Sequence, residues 1–95
     1  MTFEELNKKL GGSEQQSDWH QHKNGGGWVH KSAKVDESAL IGDRAIVWGR
    51  VSGDAWVYGN AQVYGNARVY GNARVYGHAR VYGDAQVYGD ARVYG

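Results

Sequence analysis

The chain has no cysteine and no proline among its 95 residues, and only one methionine and one phenylalanine. The absence of cysteine excludes a disulfide framework and a thiolate metal site. Lys and Arg number 11 against 10 Asp and Glu, so no excess of positive charge favours a nucleic acid as partner. No apolar run approaches the roughly 18 residues of a membrane span, and no signal-peptide core is present. These absences predict a soluble, cytoplasmic protein with no membrane partner.

What the chain has in abundance is a six-residue repeat. Aliphatic residues recur every six positions from residue 29 onward, with one exception, the four-residue step from Val47 to Val51. The aliphatic positions are Val29, Val35, Ile41, Val47, Val51, Val57, Val63, Val69, Val75, Val81, Val87 and Val93. An alanine follows four positions after each complete repeat begins. Internal repetition outweighs local propensity when a fold is predicted, so this period predicts the architecture.

Each hexad combines a short strand with a corner. In Ala-Arg-Val-Tyr, alternation places Ala and Val on one face of a four-residue strand and Arg and Tyr on the other. Gly and then Asn, Asp or His follow, and these residue types tolerate the positive φ of a tight bend. The corner positions include Gly59, Asn60, Gly65, Asn66, Gly71 and Asn72. Three sides per coil close a triangle, and successive coils stack about 4.8 Å apart through parallel strand pairing.

The pattern Val-x-Gly-Asn/Asp-Ala-x over residues 29–95 resembles the hexapeptide repeat of left-handed parallel β-helices. That group includes acyltransferases of the UDP-N-acetylglucosamine acyltransferase type, serine acetyltransferases and γ-class carbonic anhydrases. The resemblance implies an all-β, left-handed, triangular solenoid and side-by-side trimers. The uniform VYGNAR run is also similar to bacterial and phage-encoded repeat proteins of unassigned activity.

Twelve aliphatic positions predict four coils of three sides each. Residues in register are expected 18 apart, or 16 apart across the short step at Val47. The three outward faces then carry His30, Trp48, Tyr64 and Tyr82; Asp36, Ser52, Tyr70 and Tyr88; and Gly42, Tyr58, Tyr76 and Tyr94. Arg and Gln side chains run beside the Tyr ladders, so ring packing and cation–π contacts are expected to stabilise the solenoid.

The chain is predicted to divide into an N-terminal segment, residues 1–27, and the β-helix, residues 28–95. Thr2 and Glu5 fit a capping box that begins a short helix ending at Leu10. The apolar stripe of this helix consists of Phe3, Leu6 and Leu10. Residues 12–27 are polar and Gly-rich, which predicts a linker anchored only by Trp19. We expect the stripe, with Trp19 and Trp28, to cover the open end of the first coil; a free helix would offer its stripe to another protein.

Histidines are the candidates for chemistry. His78 lies in a corner slot that holds Asn or Asp elsewhere, which favours a turn residue over a general base. The letters HQH place His20 and His22 on one side of an extended stretch, with His30 near enough to join them in a metal site. Solvated side chains are the commoner outcome for such histidines, and we expect no cofactor.

The functional prediction depends on the last coil. It ends partway through a repeat and leaves an open β-edge, which recruits another strand unless it is covered or the repeats continue. We therefore expect a non-enzymatic structural or interaction module that forms a dimer or trimer or docks on a protein partner covering the C-terminal coil. The resemblance to phage-encoded repeat proteins implies a phage accessory protein. The residues expected to make such contacts are Phe3, Leu6, Leu10, Trp48, Tyr64, Tyr82, Val93 and Tyr94. The alternatives are a minimal or degenerate hexapeptide acyltransferase, with His78 or His30 at a subunit interface, and a glycan-binding face on the Tyr ladder.

Overall fold

The structure, a computed structural model, describes residues 1–95 and contains one α-helix and thirteen short strands. Helix α1 spans Phe3–Lys9, and one 3-10 turn spans Gln16–Asp18. The strands are β1 Trp19–Gln21, β2 Trp28–His30, β3 Lys34–Val35, β4 Leu40–Ile41, β5 Ile46–Val47, β6 Arg50–Val51, β7 Trp56–Val57, β8 Gln62–Val63, β9 Arg68–Val69, β10 Arg74–Tyr76, β11 Arg80–Val81, β12 Gln86–Val87 and β13 Arg92–Tyr94. The predicted β-solenoid with a short N-terminal helix is confirmed, although its strands have two or three residues rather than four. No helix is long and apolar enough to cross a membrane.

Strands β2 to β13 wind into four coils whose sides form three sheets. The first sheet has the order β1-β2-β5-β8-β11, the second β3-β6-β9-β12, and the third β4-β7-β10-β13. Paired strands of successive coils are parallel. Their partners lie 18 residues apart, as Val57 and Val75 do, or 16 apart, as Val47 and Val63 do. The predicted register is confirmed, including its shift at the short step.

Valine and alanine side chains fill the space that the three sheets enclose. Alternation turns Val57 into this space, where it is fully buried, and leaves the neighbouring Trp56 outside. The core consists of Val29, Ala39, Ile41, Ala45, Val47, Val51, Ala55, Val57, Ala61, Val63, Ala67, Val69, Ala73, Val75, Ala79, Val81 and Val87. In coil four, Ala85 and Ala91 are exposed and Val93 is only half-buried. The core is therefore closed along its length and open at the end formed by coil four.

Only glycine takes a positive φ at the corners of the solenoid. Gly59 has φ +66°, whereas Asn60, the next residue, does not leave the negative region. The expectation that Asn, Asp or His also uses its tolerance for positive φ is therefore wrong. The residue after glycine has a different role, since the Asn60 amide donates to the carbonyl oxygen of Gly77, one coil further on, at 2.8 Å.

The short step from Val47 to Val51 removes two residues from one corner. Strands β5 and β6 are joined by Trp48 and Gly49 alone, whereas residues 64–67 join β8 to β9 in the next coil. A Cβ on Gly49 would lie 2.7 Å from the carbonyl oxygen of Ala67, so no larger residue fits at this corner. The missing residues leave a gap between the turns of coils one and three.

Helix α1 packs on the outer surface of the first sheet. Leu6 is fully buried and forms one apolar cluster with Trp19, Trp28 and Ile46, whose side chains belong to that outer surface and to β1. The ring of Phe3 meets that of Trp28 edge-on, with 6.0 Å between their centres. The expectation that the helical stripe covers the open end of the first coil is wrong, because the bulky outward side chains of β2 and β5 provide its apolar partner instead.

Residues 19–27, which were predicted to be a linker, cover the first coil on the first and third sheets and leave β3 as the edge of the second sheet. Strand β1 pairs antiparallel with β2 and so covers the edge of the first sheet. At the edge of the third sheet, the Gly27 amide donates to the Ile41 carbonyl at 2.8 Å, and the Ile41 amide donates to the Asn24 carbonyl at 3.0 Å. These backbone bonds fix the segment at several points, so the prediction of a linker held only by Trp19 is wrong.

The capping box of α1 gives the helix a pH dependence. The Glu5 amide donates to the Thr2 hydroxyl at 3.2 Å, and the Thr2 amide donates to the Glu5 carboxylate at 3.1 Å. This second bond holds the pKa of Glu5 below its ordinary value, because it favours the charged form. The bond from the Thr2 amide to the Glu5 carboxylate therefore stabilises the helix fully above the ordinary pKa of a glutamate carboxyl. This stabilisation is lost as the pH falls through the lowered pKa of Glu5.

We expect acidification to weaken the first turn of α1 before it affects the solenoid. Amide hydrogen exchange of Glu5 and Leu6, followed through the acidic range after correction for intrinsic rates, measures this. Glu5→Gln is the matched control, because Gln can still accept the Thr2 bond but does not titrate. The same acid-dependent loss in Glu5→Gln would contradict the assignment to Glu5.

Candidate functional site

The structure does not gather the histidines into a site. The buried His22 ring donates from Nε2 to the Ala39 carbonyl at 2.8 Å, which fixes it inside the N-terminal closure. His30 Nδ1 lies 2.8 Å from the hydroxyl of Ser32, and its ring packs against Trp19. No group of three or more His, Asp or Glu side chains is placed to hold a metal ion. His22 and His30 therefore each contact neighbouring residues of the fold and do not share a site.

His78 occupies an exposed turn. Its backbone amide donates to the Gly95 carbonyl at 2.8 Å, as the amides at equivalent corners do, and its side chain makes no hydrogen bond. It borders a shallow hollow with Lys9, Asn60 and Arg80, where no carboxylate is present to orient the imidazole. The arrangement is that of a corner residue.

The tyrosines form ladders along the outside of the solenoid. Rings one coil apart are nearly parallel, with 5.0 to 5.3 Å between their centres, so each ring covers a face of the next. The stacked pairs are Tyr58 with Tyr76, Tyr76 with Tyr94, Tyr64 with Tyr82, and Tyr70 with Tyr88. Arg74 adds a cation–π contact, with its guanidinium carbon 4.5 Å from the centre of the Trp56 ring. These contacts stabilise coil stacking and leave the ladder edges facing solvent.

The ladders end in three exposed tyrosines on coil four. Tyr82, Tyr88 and Tyr94 are 58%, 57% and 68% exposed, because no following ring covers their second faces. Beside them, the inner residues Ala85 and Ala91 are also exposed. Coil four therefore exposes alanines at positions that coil three buries, and tyrosines at positions that coil three half-buries.

Backbone groups are unpaired at this end as well. In coil three, the amides of Tyr70 and Asn72 donate to the carbonyls of Val87 and Gly89 in coil four. The corresponding amides of Tyr88 and Asp90 donate no backbone hydrogen bond. The end of coil four is thus an open edge on all three sheets, and we call this surface, residues 80–95, the coil-four edge.

A second feature is a hollow of about 490 Å³ at the shortened corner. It lies between the turns of coils one and three, where coil two lacks its two turn residues. Its lining is mostly polar and includes Ser32, Trp48, Arg50, Asn66, Arg68, Asp84 and Gln86. We call this hollow the corner notch. The four-residue step from Val47 to Val51 locates this corner in the sequence, and its two missing residues were the available signal for a cavity that was not predicted.

One family model matches the chain. It describes a YdcK β-solenoid repeat and matches residues 61–77, 73–87 and 85–95. The matched segments cover coils three and four, where the hexads are most uniform. A search of curated proteins and a search of solved structures return no match. The family match and the three-sheet architecture together show a repeat protein of the β-solenoid type.

Proposed function

We propose that this β-solenoid is a non-enzymatic structural module that pairs with a second copy of itself through the coil-four edge. The observation that carries the proposal is the row of unpaired backbone amides, exemplified by Tyr88 and Asp90, beside exposed inner alanines. An uncovered sheet edge is a template for pairing with another chain. The opposite end offers less of such a template, because residues 19–27 cover it on the first and third sheets and leave only β3 as an edge strand.

The symmetry of the pairing follows from the strand directions. When two coil-four edges face each other across a two-fold axis, the strands of one copy run antiparallel to those of the other. Antiparallel pairing satisfies amides and carbonyls on both sides, and the two-fold symmetry closes the assembly because each copy uses its coil-four edge once. The expected product is a closed dimer.

The charge of the coil-four edge is compatible with a second copy as the partner. Residues 80–95 contain two basic side chains, Arg80 and Arg92, and two acidic ones, Asp84 and Asp90. Two identical edges therefore meet without net repulsion. Dimerisation also covers the exposed alanines and gives the rings of Tyr82, Tyr88 and Tyr94 a surface to pack on.

The helical stripe is not part of this surface, because Leu6 is fully buried on the chain's own first sheet. The resemblance to hexapeptide-repeat proteins instead favours a side-by-side trimer as the competing assembly, which would bury the outer walls and leave the coil-four edge free. The two assemblies differ in mass and in which residues they need.

Arg92→Pro is expected to weaken the dimer about a hundredfold or more. The Arg92 amide faces the same direction as that of Arg74, which donates to Ala91 in the following coil. Proline removes this donor and fills the space a partner strand needs, while an edge strand tolerates it in the monomer. The measurement is the mass in solution by light scattering over a concentration series, which should give twice the 10.5 kDa of one chain for the wild type.

Arg92→Ala is the matched control, because it removes the same side chain and keeps the amide. It should dimerise as the wild type does. A wild-type monomer at high concentration, a trimer, or a dimer that Arg92→Pro leaves intact would contradict pairing through the coil-four edge.

A further inference from the structure

The corner notch is a gap in an otherwise continuous wall. From Gly71 onward each turn glycine carbonyl accepts an amide from the turn one coil before it, as Gly83 accepts from Asn66 at 2.8 Å. Gly65 accepts no such bond, because coil two has only Trp48 and Gly49 at this corner. The turn of coil three is therefore exposed on the side that faces coil one, and its Gly65 carbonyl is available to a ligand.

Two unpaired arginines line the notch. Arg50 and Arg68 are register partners on β6 and β9, so their backbones lie about 4.8 Å apart. Neither takes part in the chain's two ion pairs, which join the N-terminus to Asp43 and Lys31 to Asp18. Like charges at this spacing repel each other, and an oxyanion between two guanidinium groups relieves the repulsion and accepts several charge-assisted hydrogen bonds.

The other walls are suited to a small polar ring. Trp48 is half-buried and held edge-on by Trp19 at 5.2 Å and by Tyr64 at 6.1 Å, so it forms a fixed aromatic wall. Asn66 and Asp84 add a neutral and an acidic group to the lining, and the Asn66 amide donates to the Asp84 carboxylate at 3.3 Å. A carboxylate, an amide and a free carbonyl are acceptors and donors for hydroxyl groups. The volume is within the range of about 300–1,000 Å³ common for small-molecule sites.

We propose that the corner notch binds a sugar that carries a phosphate or carboxylate group. Arg50 and Arg68 hold the oxyanion. Asp84, Asn66 and the Gly65 carbonyl bind ring hydroxyls, and the C–H face of the sugar packs against Trp48. The notch shares Asp84 and Gln86 with the coil-four edge, but Arg50 and Arg68 lie outside that edge. Substitutions at these two arginines therefore test the proposed ligand separately from the proposed dimer.

Calorimetric titration of the 95-residue chain with glucose 6-phosphate and with glucuronate tests the proposal. At least one of the two should bind saturably, and their relative affinity decides whether phosphate or carboxylate is preferred. Glucose should bind at least tenfold more weakly because it has no oxyanion, and inorganic phosphate because it has no ring. Equal binding of inorganic phosphate and glucose 6-phosphate would overturn the assignment to a sugar.

Arg50→Gln and Arg68→Gln should each weaken binding about tenfold or more, the usual effect of losing a hydrogen bond to a charged group. Glutamine fits this ladder, since Gln86 occupies its register position in coil four. Arg74→Gln is the matched control with the same charge change, on the third sheet and outside the notch. It should bind as the wild type does.

The notch itself can be closed without altering any lining side chain. Inserting Asn-Ala between Gly49 and Arg50 converts VWGRV into VWGNARV, the form of the neighbouring repeats. The restored turn should fill the gap, abolish sugar binding and leave thermal stability at or above that of the wild type. Undiminished binding by this insertion variant, an effect of Arg74→Gln equal to that of Arg50→Gln, or no saturable binding of either anionic sugar would overturn the proposal.

Discussion

Gly59→Ala is expected to destabilise the solenoid by about 2–5 kcal/mol, and Gly83→Ala by only about 1–2 kcal/mol. Both glycines have nearly the same left-handed backbone, with φ +66° and +64°. A Cβ on Gly59 would lie 2.9 Å from the amide nitrogen of Gly77 in the next coil, whereas a Cβ on Gly83 meets nothing within 4 Å. The first variant therefore adds a forced separation of coils to the cost of the backbone conformation that both variants share.

Urea denaturation of the two variants, at a concentration where the chain is monomeric, measures this difference. The pair isolates coil spacing, since residue type, turn position and φ are matched. Equal losses of the free energy of unfolding would mean that the corner relaxes around a methyl group. The close stacking of turn glycines would then contribute nothing to stability.

Leu6→Ala should release α1 from the solenoid at a cost of about 2–5 kcal/mol, the range for truncating a fully buried leucine. Its side chain fills the space between the helix and the outward faces of Trp28 and Ile46. The solenoid should survive, because each coil depends mainly on its neighbours. Hydrogen exchange should therefore quicken over Phe3–Lys9 and remain slow over β7 to β10.

Leu10→Ala is the control, because Leu10 is only partly buried on the same cluster. It should cost less than half as much. If Leu6→Ala accelerated exchange equally in the helix and in β7 to β10, the helix and solenoid would unfold as one unit, which is not what the separate clusters indicate.

The sequence predicts the solenoid well because its period has a direct geometric meaning. Each step of six residues brings the chain from one corner to the equivalent point of the next. The positions of Val47 and Val51 were therefore enough to locate where the spacing between paired residues changes between 18 and 16. The capping box of Thr2 and Glu5 is equally local and was also predicted correctly. Both features depend on residues within a few positions of each other.

The N-terminal closure was not predicted because long-range backbone bonds make it. Nothing in the side chains of residues 24–27 indicates that their amides and carbonyls meet Ile41. The docking site of α1 did leave a signal. Trp28 and Ile46 occupy outward positions where later coils carry Gln62 and Arg80, and such bulky apolar residues on an outer face require a partner.

The corner notch could not be predicted from the sequence for a different reason. The sequence alone locates the two-residue shortening at VWGR, but the cavity depends on how the turns of coils one and three respond. The two turns keep their own geometry instead of closing over the gap. In coil one the Ala33 amide donates to the His30 carbonyl, and in coil three the Asn66 amide donates to the Gly83 carbonyl. That rigidity turns a small deletion into a recess with Arg50 and Arg68 on its wall.

The closure at residues 19–27 also has a consequence for how such a gene can change. Near-identical tandem units are gained and lost readily during replication, and the late hexads are the near-identical ones. Residues 19–27 fix the first coil, so each hexad added among the late repeats moves the last strand to the next of the three sheets. Three added hexads make one full coil and return the last strand to its original sheet. Variants that differ by multiples of 18 residues should therefore keep the same terminal surface, whereas variants that differ by one or two hexads should present a different one.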